Sequence, residues 1–363
     1  MKAAAYLKTN EMAVLDVELP VPQADQVLIK VAYCGVCATD YDNFVGQTSF
    51  ARNGFLRYPL RFGHEWSGVV CQVGADVHTF KVGDRVIGDG KVTCGVCENC
   101  RKGQWYNCLN LRAVGTVHDH WPGGMAEYIL MPARNVFPVD DHVTLKKAAL
   151  LEPVTIAMNG FRQEDLTGKT VLVIGSGAIG LGGVTAARAL GAGRVICAGR
   201  KQFKLDRALE MGAADVIDTT KAPLKDQLLA VNGGKRADFV LETSGSTQYV
   251  EDCLDYVEKM GVFSMVAFYD RPLNNFNLDD MIFAKITLRG ASGSQQYMPV
   301  ALDLLNRGKI HLMPLLTQEV DFADVRTVMD AYRACAAQRI KMLVRIGGEN
   351  VGDTLYKTMA ACM

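Results

Sequence analysis

The sequence predicts an α/β protein in which a doubly wound parallel sheet of six strands is combined with a β-rich domain. From about residue 154, apolar strands alternate with amphipathic helices, which is typical of a parallel sheet covered on both faces. Before residue 150, short alternating runs such as 26–32 and 66–73 are separated by glycines and indicate an irregular β-rich domain. Because the chain has 363 residues, we expect more than one hydrophobic core.

The elements of the sheet follow from the positions of the apolar runs. The predicted strands are 170–174, 194–198, 215–217, 238–241, 262–266 and 286–288. Helices with apolar residues at intervals of three and four are predicted at 178–190, 203–211, 224–231 and 247–256. After Gly290 we predict a helix near 299–306 and a last strand at 341–346 that rejoins the first domain. The expected domains are therefore 1–153, 154–294 and a C-terminal return over 295–363.

Composition and charge narrow the class of partner. Lysine plus arginine and aspartate plus glutamate number 39 each, so no net charge favours nucleic acid or an anionic membrane. We expect a small-molecule partner. The odd total of eleven cysteines favours a reducing compartment. The chain contains neither a signal-peptide pattern nor a run of about 18 apolar residues, so we predict a cytoplasmic protein.

Four closely spaced cysteines, Cys94, Cys97, Cys100 and Cys108, lie in a stretch rich in glycine and asparagine. Four thiolates at this spacing can converge on one ion, and tetrahedral sulfur coordination is typical of structural Zn²⁺. Free or disulfide-bonded neighbours are the plain alternative, and an iron–sulfur cluster is another. The bacterial ferredoxin pattern has proline after its last cysteine, whereas Leu109 stands here. We therefore predict a structural zinc lobe over 93–109.

A glycine-rich run follows the first predicted strand of the sheet and opens a helix, which is the context expected of a dinucleotide-binding loop. Its residues are Gly175, Ser176, Gly177, Ala178, Ile179 and Gly180. Gly175 permits a tight turn, Gly177 lets the backbone approach a pyrophosphate, and Gly180 lets helix and strand pack closely. The alternative is a glycine-rich turn without a ligand.

The end of the second strand of the sheet indicates which dinucleotide binds. An NAD site usually has an acidic residue there, which hydrogen-bonds the ribose and repels a 2′-phosphate. Gly199 occupies that position, and Arg200 and Lys201 follow at once. We therefore predict a preference for NADP(H) over NAD(H), against the alternative that both cations lie in a solvated loop. Thr243 completes the candidate cofactor-binding residues.

A second set of possible metal ligands is spread along the chain. Cys37, His64 and one carboxylate, from Glu65 or Glu152, could supply the three protein ligands of a catalytic zinc with an open position. Taken alone, His64 and Cys37 could equally be core residues. Cys34 and Cys37 could also form a redox pair, but that motif belongs near a βαβ unit, and this one lies in β-rich sequence.

Together these motifs resemble the zinc-dependent medium-chain dehydrogenase/reductase superfamily, close to its sorbitol and other polyol dehydrogenases and its threonine dehydrogenases. The matching residues are Cys37, Thr39, Asp40, Gly63, His64, Glu65, the four clustered cysteines, Glu152, Pro153 and the glycine loop. The resemblance covers essentially the whole chain. It implies a GroES-like catalytic domain formed by both chain ends, a Rossmann domain between them, two zinc ions per chain, and homodimers or homotetramers.

The resemblance also implies roles for single residues. Cys37 and His64 become ligands of the catalytic zinc, Glu65 or Glu152 supplies a carboxylate, and Asp40 orients His64. Zinc acidifies the bound alcohol, Thr39 relays its proton, and the carbinol carbon gives hydride to the nicotinamide. Glu152 stands where the family's simple alcohol dehydrogenases have cysteine, and its polyol dehydrogenases resemble this chain. A secondary alcohol or ketone of a polyol, sugar, sugar phosphate or cyclitol is therefore the expected substrate.

The residues that select the substrate depart from the sorbitol dehydrogenase pattern. Asn43 replaces an expected aromatic residue, and Ser292-Gly293 replaces an expected Phe-Arg pair. We expect the segment 41–50 to form one wall of the cleft, although its aromatic side chains could equally be core residues. The alternatives are a threonine-type amino-alcohol dehydrogenase using NAD, a non-catalytic zinc-binding protein and a zinc-free enoyl reductase. Cys37, His64 and Glu152 argue against the last two.

Overall fold

The computed structural model describes residues 1–117, 121–162, 164–269, 271–293 and 296–354. The chain divides into two compact units, Met1–Glu152 with Leu316–Met363, and Pro153–Leu315. The boundary predicted at 294/295 lies outside the described residues, as does the end of the return predicted over 295–363. In the observed division, residues 295–315 belong to the second unit. Within the described residues, no helix is long and apolar enough to cross a membrane.

The first unit is built mainly from strands. They are β1 (Lys2–Lys8), β2 (Glu11–Asp16), β3 (Gln26–Val36), β4 (Leu60–Arg61), β5 (Glu65–Val73), β6 (Arg85–Gly88), β7 (Lys91–Val92), β8 (Arg112–Ala113), β9 (Tyr128–Pro132), β10 (Val136–Pro138), β17 (Leu316–Asp321) and β18 (Lys341–Arg345). Its helices are α1 (Ala38–Phe44), α2 (Ser49–Arg52), α3 (Glu98–Arg101), α4 (Leu145–Ala148), the start of α5 (Glu152–Gly160) and α12 (Val328–Ala334). Short 3₁₀ helices cover Trp105–Asn107, Ala133–Asn135, Phe322–Thr327 and Glu349–Thr354.

The sheet order of the first unit explains how distant segments meet. Its seven-stranded sheet runs β10-β6-β5-β3-β18-β17, with β9 also paired to β3. β3 is almost wholly buried, and it lies between β5 and β18 at its C-terminal end. The last strand therefore rejoins the first domain, as the sequence predicts. Smaller sheets are formed by β2-β1-β4 and β7-β8.

The second unit alternates strands and helices. Its strands are β11 (Thr170–Ile174), β12 (Arg194–Gly199), β13 (Asp215–Asp218), β14 (Ala237–Glu242), β15 (Val257–Met265) and β16 (Thr287–Gly290). Its helices are α6 (Ala178–Ala189), α7 (Gln202–Glu210), α8 (Leu224–Val231), α9 (Thr247–Glu251), α10 (Leu278–Ala284) and α11 (Met298–Asn306), with 3₁₀ turns at Cys253–Asp255 and Met313–Leu315.

All strands of the second unit are parallel, in the order β13-β12-β11-β14-β15-β16. This is the doubly wound arrangement, and it confirms the predicted fold class. β11 and β12 are buried along nearly their whole length, as expected of strands covered on both faces. The chain order reverses beside β11, so the carboxyl end of that strand is the point at which such sheets bind ligands.

Candidate metal centres and nucleotide-binding loop

The four cysteines of the predicted lobe converge in the structure. The sulfur atoms of Cys94, Cys97, Cys100 and Cys108 all lie within 4.8 Å of one another, and those of Cys94 and Cys100 are 4.0 Å apart. A tetrahedral ion with Zn–S bonds of about 2.3 Å would place its sulfurs roughly 3.8 Å apart. The spacing therefore fits one zinc ion.

Backbone N–H groups of the lobe point at the sulfurs. The N–H of Cys94 donates to Cys108 Sγ at 3.3 Å, and the N–H of Cys97 donates to Cys94 Sγ at 3.4 Å. The N–H groups of Val96 and Cys97 lower the pKa of Cys94 to about 6. These N–H groups thus favour the thiolate of Cys94, which is the form that binds metal.

Arg134 joins the lobe to the rest of the first unit. Its Nε and Nη2 donate to the carbonyl oxygen of Thr93 at 3.0 and 2.8 Å. Its Nη1 donates to Asp25 at 2.7 Å. These hydrogen bonds thus attach the lobe to the rest of the first unit at the residue directly before its first cysteine.

The second donor set combines a sulfur, an imidazole and a carboxylate. The ligand atoms of Cys37, His64 and Glu65 lie within 4.8 Å of one another, and His64 and Glu65 are buried. Cys37 caps α1, and its N–H donates to Asp40 Oδ2 at 2.8 Å. His64 Nδ1 lies 3.7 Å from the other oxygen of Asp40, which is beyond hydrogen-bond distance, and neither atom has a hydrogen-bond partner among the described residues. Asp40 thus lies next to His64, where the resemblance places it.

Glu152 begins α5 beside this set. A Cβ placed on Gly90 would lie 3.6 Å from Glu152 Oε1 and 3.6 Å from the Cβ of His64, so the two side chains meet at the same backbone position. Glu152 is nevertheless outside the compact group of three donors. Burial raises the pKa of Glu152 to about 8, and the neighbouring Glu65 and Cys37 act in the same direction.

The accumulation of acidic groups shows what the site is suited to hold. Burial also raises the pKa of Cys37 to about 12, with further repulsion from Glu65. Buried Glu65 and half-buried Cys37 and Glu152 are acids whose charges oppose one another, and a cation at their centre would stabilise them. Sulfur, imidazole and carboxylate donors together with an open position fit a catalytic zinc.

Lys341 is a site residue that the sequence reasoning missed. Its Nζ donates to both carboxylate oxygens of Glu65, at 2.6 and 2.8 Å, and both side chains are buried. The Glu65 side chain passes over β3 at Gly35, where a Cβ would lie 2.2 Å from Glu65 Oε2. Glycine is therefore required at this crossing. The sequence predicted the last strand, on which Lys341 lies, but nothing in the sequence around Lys341 indicated that its partner is Glu65.

The other predicted catalytic and substrate residues are placed as follows. Thr39 lies half-buried in the first turn of α1, two residues after Cys37. Tyr41 stacks on Tyr332 and Phe44 packs on Tyr6, with ring centroids 5.4 and 5.5 Å apart, so both belong to the core of the unit. Asn43 is buried, and its amide donates to the Thr116 carbonyl at 2.8 Å. These three contacts favour the core interpretation of the segment.

The predicted nucleotide loop has the expected geometry in the second unit. It connects β11 to α6, and Gly175 has φ of +104°. A Cβ on Gly180 would lie 1.8 Å from the carbonyl oxygen of Gly175, so only glycine allows the helix to approach the turn. Thr243 Oγ1 donates to the carbonyls of Ile174 and Gly175 at 2.9 and 3.2 Å. Thr243 therefore holds the loop against the end of β14.

Gly199 ends β12 in a space that Ser176 already fills. A Cβ on Gly199 would lie 2.3 Å from Ser176 Oγ and 2.9 Å from Ser176 Cβ. An acidic side chain at this position would displace the second residue of the glycine loop. Arg200 and Lys201 are exposed directly after the strand.

Comparison with known proteins agrees with a metal-binding first unit and a nucleotide-binding second unit. Residues 23–141 match the alcohol dehydrogenase GroES-like domain, and residues 178–307 match the zinc-binding dehydrogenase family. The chain is 31% identical to an L-threonine 3-dehydrogenase of Pseudoalteromonas atlantica, over 91% of this chain and 96% of that protein.

Two solved structures are similar over almost the whole chain. A zinc-binding dehydrogenase from Sinorhizobium meliloti bound to NADP is 28% identical, with a TM-score of 0.85 over 95% of this chain and 98% of that one. The galactitol-1-phosphate dehydrogenase of Escherichia coli is 26% identical, with a TM-score of 0.85 over 95% of this chain and 100% of that one.

Proposed function

Because this chain belongs to the zinc-dependent alcohol dehydrogenase family, we propose that it transfers hydride between NADP(H) and a secondary alcohol or ketone of a polyol, sugar, sugar phosphate or cyclitol. The observation that carries the proposal is the convergence of Cys37, His64 and Glu65 in one set of possible metal donors, with Glu152 beside His64. A bound zinc would acidify the hydroxyl of the substrate and polarise the carbonyl of the product.

Cys37, His64 and Glu152 are the proposed protein ligands of the catalytic zinc. Both oxygens of Glu65 already accept hydrogen bonds from Lys341. Glu65 is therefore better suited to adjust the charge around the metal than to coordinate the metal directly. Glu152 is half-buried and meets His64 at the position of Gly90, which supports it as the third ligand. Asp40 accepts a hydrogen bond from the N–H of Cys37 and lies next to His64, which supports an orienting role for Asp40.

Thr39 is the proposed proton relay. Its position in the first turn of α1, next to the Cys37 ligand, supports this assignment, because a relay must reach the substrate hydroxyl by a hydrogen bond. Thr39→Val should lower kcat about 100-fold while the zinc content stays unchanged. Thr48→Val, which removes the hydroxyl that caps α2, is the matched control and should change kcat little.

The preference for NADP(H) rests on the residues after β12. Arg200 and Lys201 supply exposed positive charge, and Ser176 leaves no room for an acidic side chain at Gly199. Arg200→Gln should lower kcat/KM for NADP at least tenfold and that for NAD less than threefold. Lys221→Gln, which removes another lysine of the same unit, is the control. An equal loss of kcat/KM with both cofactors would contradict the assignment. To reverse the cofactor preference from NADP to NAD, Gly199→Asp would have to be combined with Ser176→Gly.

A substrate panel tests the proposed reaction. The turnover of neutral polyols, sugar phosphates, sugar acids, cyclitols and amino alcohols should be measured in turn with NAD and with NADP at saturating zinc. The absorbance of the reduced nicotinamide reports the reaction. We expect turnover of polyol-type secondary alcohols with NADP. A strong preference for L-threonine with NAD would instead favour the second candidate, which the threonine dehydrogenase relatives support. Absence of turnover with every secondary alcohol would refute the proposal.

Two zinc ions per chain are the proposed metal content, one in the lobe and one in the catalytic set. The separate convergence of both donor groups supports this number. Metal analysis of the purified protein should give two zinc ions per chain. The ten cysteines among the described residues are all free thiols, which supports a reducing compartment such as the cytoplasm.

We also propose that the protein forms a homodimer or homotetramer through the edge of the parallel sheet. β16 is the last strand of the sheet order, and the nearby helix α10 exposes Leu278, Ile282 and Phe283. A second copy that pairs at this edge would cover both features. Phe283→Asp should shift the species seen by light scattering towards the monomer, whereas Leu209→Asp on exposed α7 should not.

A further inference from the structure

Glu242 is a buried carboxylate at the carboxyl end of β14, the strand next to β11 in the parallel sheet. In the register of these two strands, Glu242 pairs with Ile174, which directly precedes Gly175. The last residues of β11 and β14 therefore lie side by side, at the edge of the sheet that carries the glycine loop.

The carboxylate of Glu242 accepts hydrogen bonds from two different loops. In the loop after β14, the N–H of Ser244 donates to Oε1 at 2.7 Å, and the hydroxyl of Ser244 donates to the same oxygen. In the loop after β15, the hydroxyl of Tyr269 donates to Oε2 at 2.6 Å. Burial raises the pKa of Tyr269, and the charge of Glu242 acts in the same direction, so the phenol keeps its proton and remains a donor. Glu242 therefore joins the two loops.

The turn that Glu242 holds is in direct contact with the glycine loop. A Cβ placed on Gly175 would lie 2.5 Å from Thr243 Oγ1 and 2.9 Å from the nitrogen of Ser244. The N–H of Thr243 donates to the carbonyl of Ile174 at 2.8 Å. The position of Gly175 therefore depends on the turn 243–245, and Glu242 fixes that turn through Ser244.

A glycine-rich loop binds a pyrophosphate through its backbone, so its conformation decides the affinity. Glycine loses more conformational freedom on ordering than any other residue. A loop that is already ordered before the ligand arrives avoids that cost at the binding step. Hydrogen bonds to a carboxylate are stronger than those between neutral groups, which suits Glu242 to this ordering.

We propose that Glu242, together with Tyr269, is a positioning residue for dinucleotide binding, because it holds the turn 243–245 against Gly175 and so keeps the glycine loop in its binding conformation. This inference rests on the use of a nicotinamide dinucleotide in the proposed function. The pyrophosphate is common to NADP(H) and NAD(H). Loss of the contact should therefore weaken both cofactors equally.

A binding test is independent of turnover. The zinc-loaded wild type and Glu242→Gln should be titrated with NADPH and with NADH, without substrate, and followed by nicotinamide fluorescence. Glutamine keeps the size of the side chain, but its NH₂ group cannot accept a hydrogen bond, so Kd for both dinucleotides should rise roughly tenfold. Glu258→Gln is the matched control, because Glu258 accepts from the N–H of Arg236 at 2.8 Å, at the opposite end of β14. Its Kd values should stay within about twofold of the wild type.

Tyr269→Phe is the second variant, and it keeps the carboxylate with its Ser244 contacts, so the test does not depend on the folding of Glu242→Gln. Its Kd for each dinucleotide should rise about threefold. The double variant should bind like Glu242→Gln alone, because both changes break the same hydrogen-bond network. At saturating nucleotide, kcat of these variants should stay within about twofold of the wild type, so that the loss lies in KM for the cofactor. Tyr256→Phe, at a buried tyrosine of the same unit, is the control.

The outcomes separate this inference from the proposed function. Unchanged Kd values in folded Glu242→Gln and Tyr269→Phe would overturn the inference, as would a loss in kcat with an unchanged KM for the cofactor. A rise in Kd for NADPH alone would also overturn it, because the effect would then lie at the 2′-phosphate. If the wild type binds both dinucleotides but oxidises no secondary alcohol, the proposed function fails, and the Kd comparison still decides the role of Glu242.

Discussion

The lobe and the catalytic set are both candidate zinc sites, yet they are built in opposite ways. The lobe takes its four sulfurs from one segment, 94–108, and its N–H groups supply the surrounding hydrogen bonds. The catalytic set draws Cys37, His64 and Glu65 from two separate segments, Glu152 from a third lies beside His64, and a lysine from the last strand contacts Glu65. The lobe is therefore locally specified, whereas the catalytic set exists only when the whole first unit is folded.

The two sites also differ in the kinds of side chain that surround the metal position. Four thiolates surround the lobe position on every side, which is typical of a structural zinc without a substrate position. The catalytic set mixes one cysteine, an imidazole and two carboxylates with Lys341, which forms an ion pair with Glu65. Chemistry is thus expected where donors of different kinds can leave one metal position open. The variants below test how separate the two sites are.

His64→Ala should have the largest effect, and only on catalysis. Loss of a ligand removes the metal that stabilises developing charge, so kcat/KM should fall at least about 1000-fold. Zinc content should drop from two ions to one per chain, with the lobe still loaded. His142→Ala, which changes an exposed histidine of the same unit, is the control. Loss of both ions would show that the two sites depend on each other.

Lys341→Met should mainly lower stability. It leaves the buried carboxylate of Glu65 without its partner, which costs about 3–5 kcal/mol in comparable buried pairs. The double variant Lys341→Met with Glu65→Gln removes the stranded charge and should recover most of the free energy of unfolding. Urea unfolding of the single and double variants measures the difference. If both variants are equally unstable, packing of the lysine stem matters more than its charge.

Local patterns made the lobe and the glycine loop predictable, because cysteine spacing and a strand–loop–helix order lie within about 15 residues of sequence. The contact between Lys341 and Glu65 joins residues 276 positions apart and depends on β18 and β5 both lying beside β3. The aromatic residues of 41–50 were open to two interpretations because contacts such as Tyr41 with Tyr332 cannot be seen in the sequence.

Cys100→Ser should affect stability less than Lys341→Met and should spare catalysis. Cys100 is buried in the lobe, and its loss should release one zinc ion and loosen the segment around it. We expect a decrease of about 2 kcal/mol, or roughly 4–8 °C in Tm. Activity per folded molecule should stay within threefold of the wild type. Cys253→Ser, at a buried cysteine of the second unit, controls for the burial of a hydroxyl. A large loss of activity in Cys100→Ser at full folding would show that the lobe shapes the catalytic set.

Arg134→Met should have the smallest effect, because it changes how the lobe is attached while leaving all four sulfurs in place. The variant leaves the buried Thr93 carbonyl without its two guanidinium donors, and each lost hydrogen bond of this kind costs about 1 kcal/mol. The lobe should therefore open more often, and a chelator should remove its zinc severalfold faster while the catalytic zinc leaves at the wild-type rate. Arg112→Met, at an exposed arginine of the same unit, should leave both rates unchanged. If the catalytic zinc also leaves faster in Arg134→Met, the lobe is coupled to the catalytic set through this arginine, and the two sites are less separate than their construction indicates.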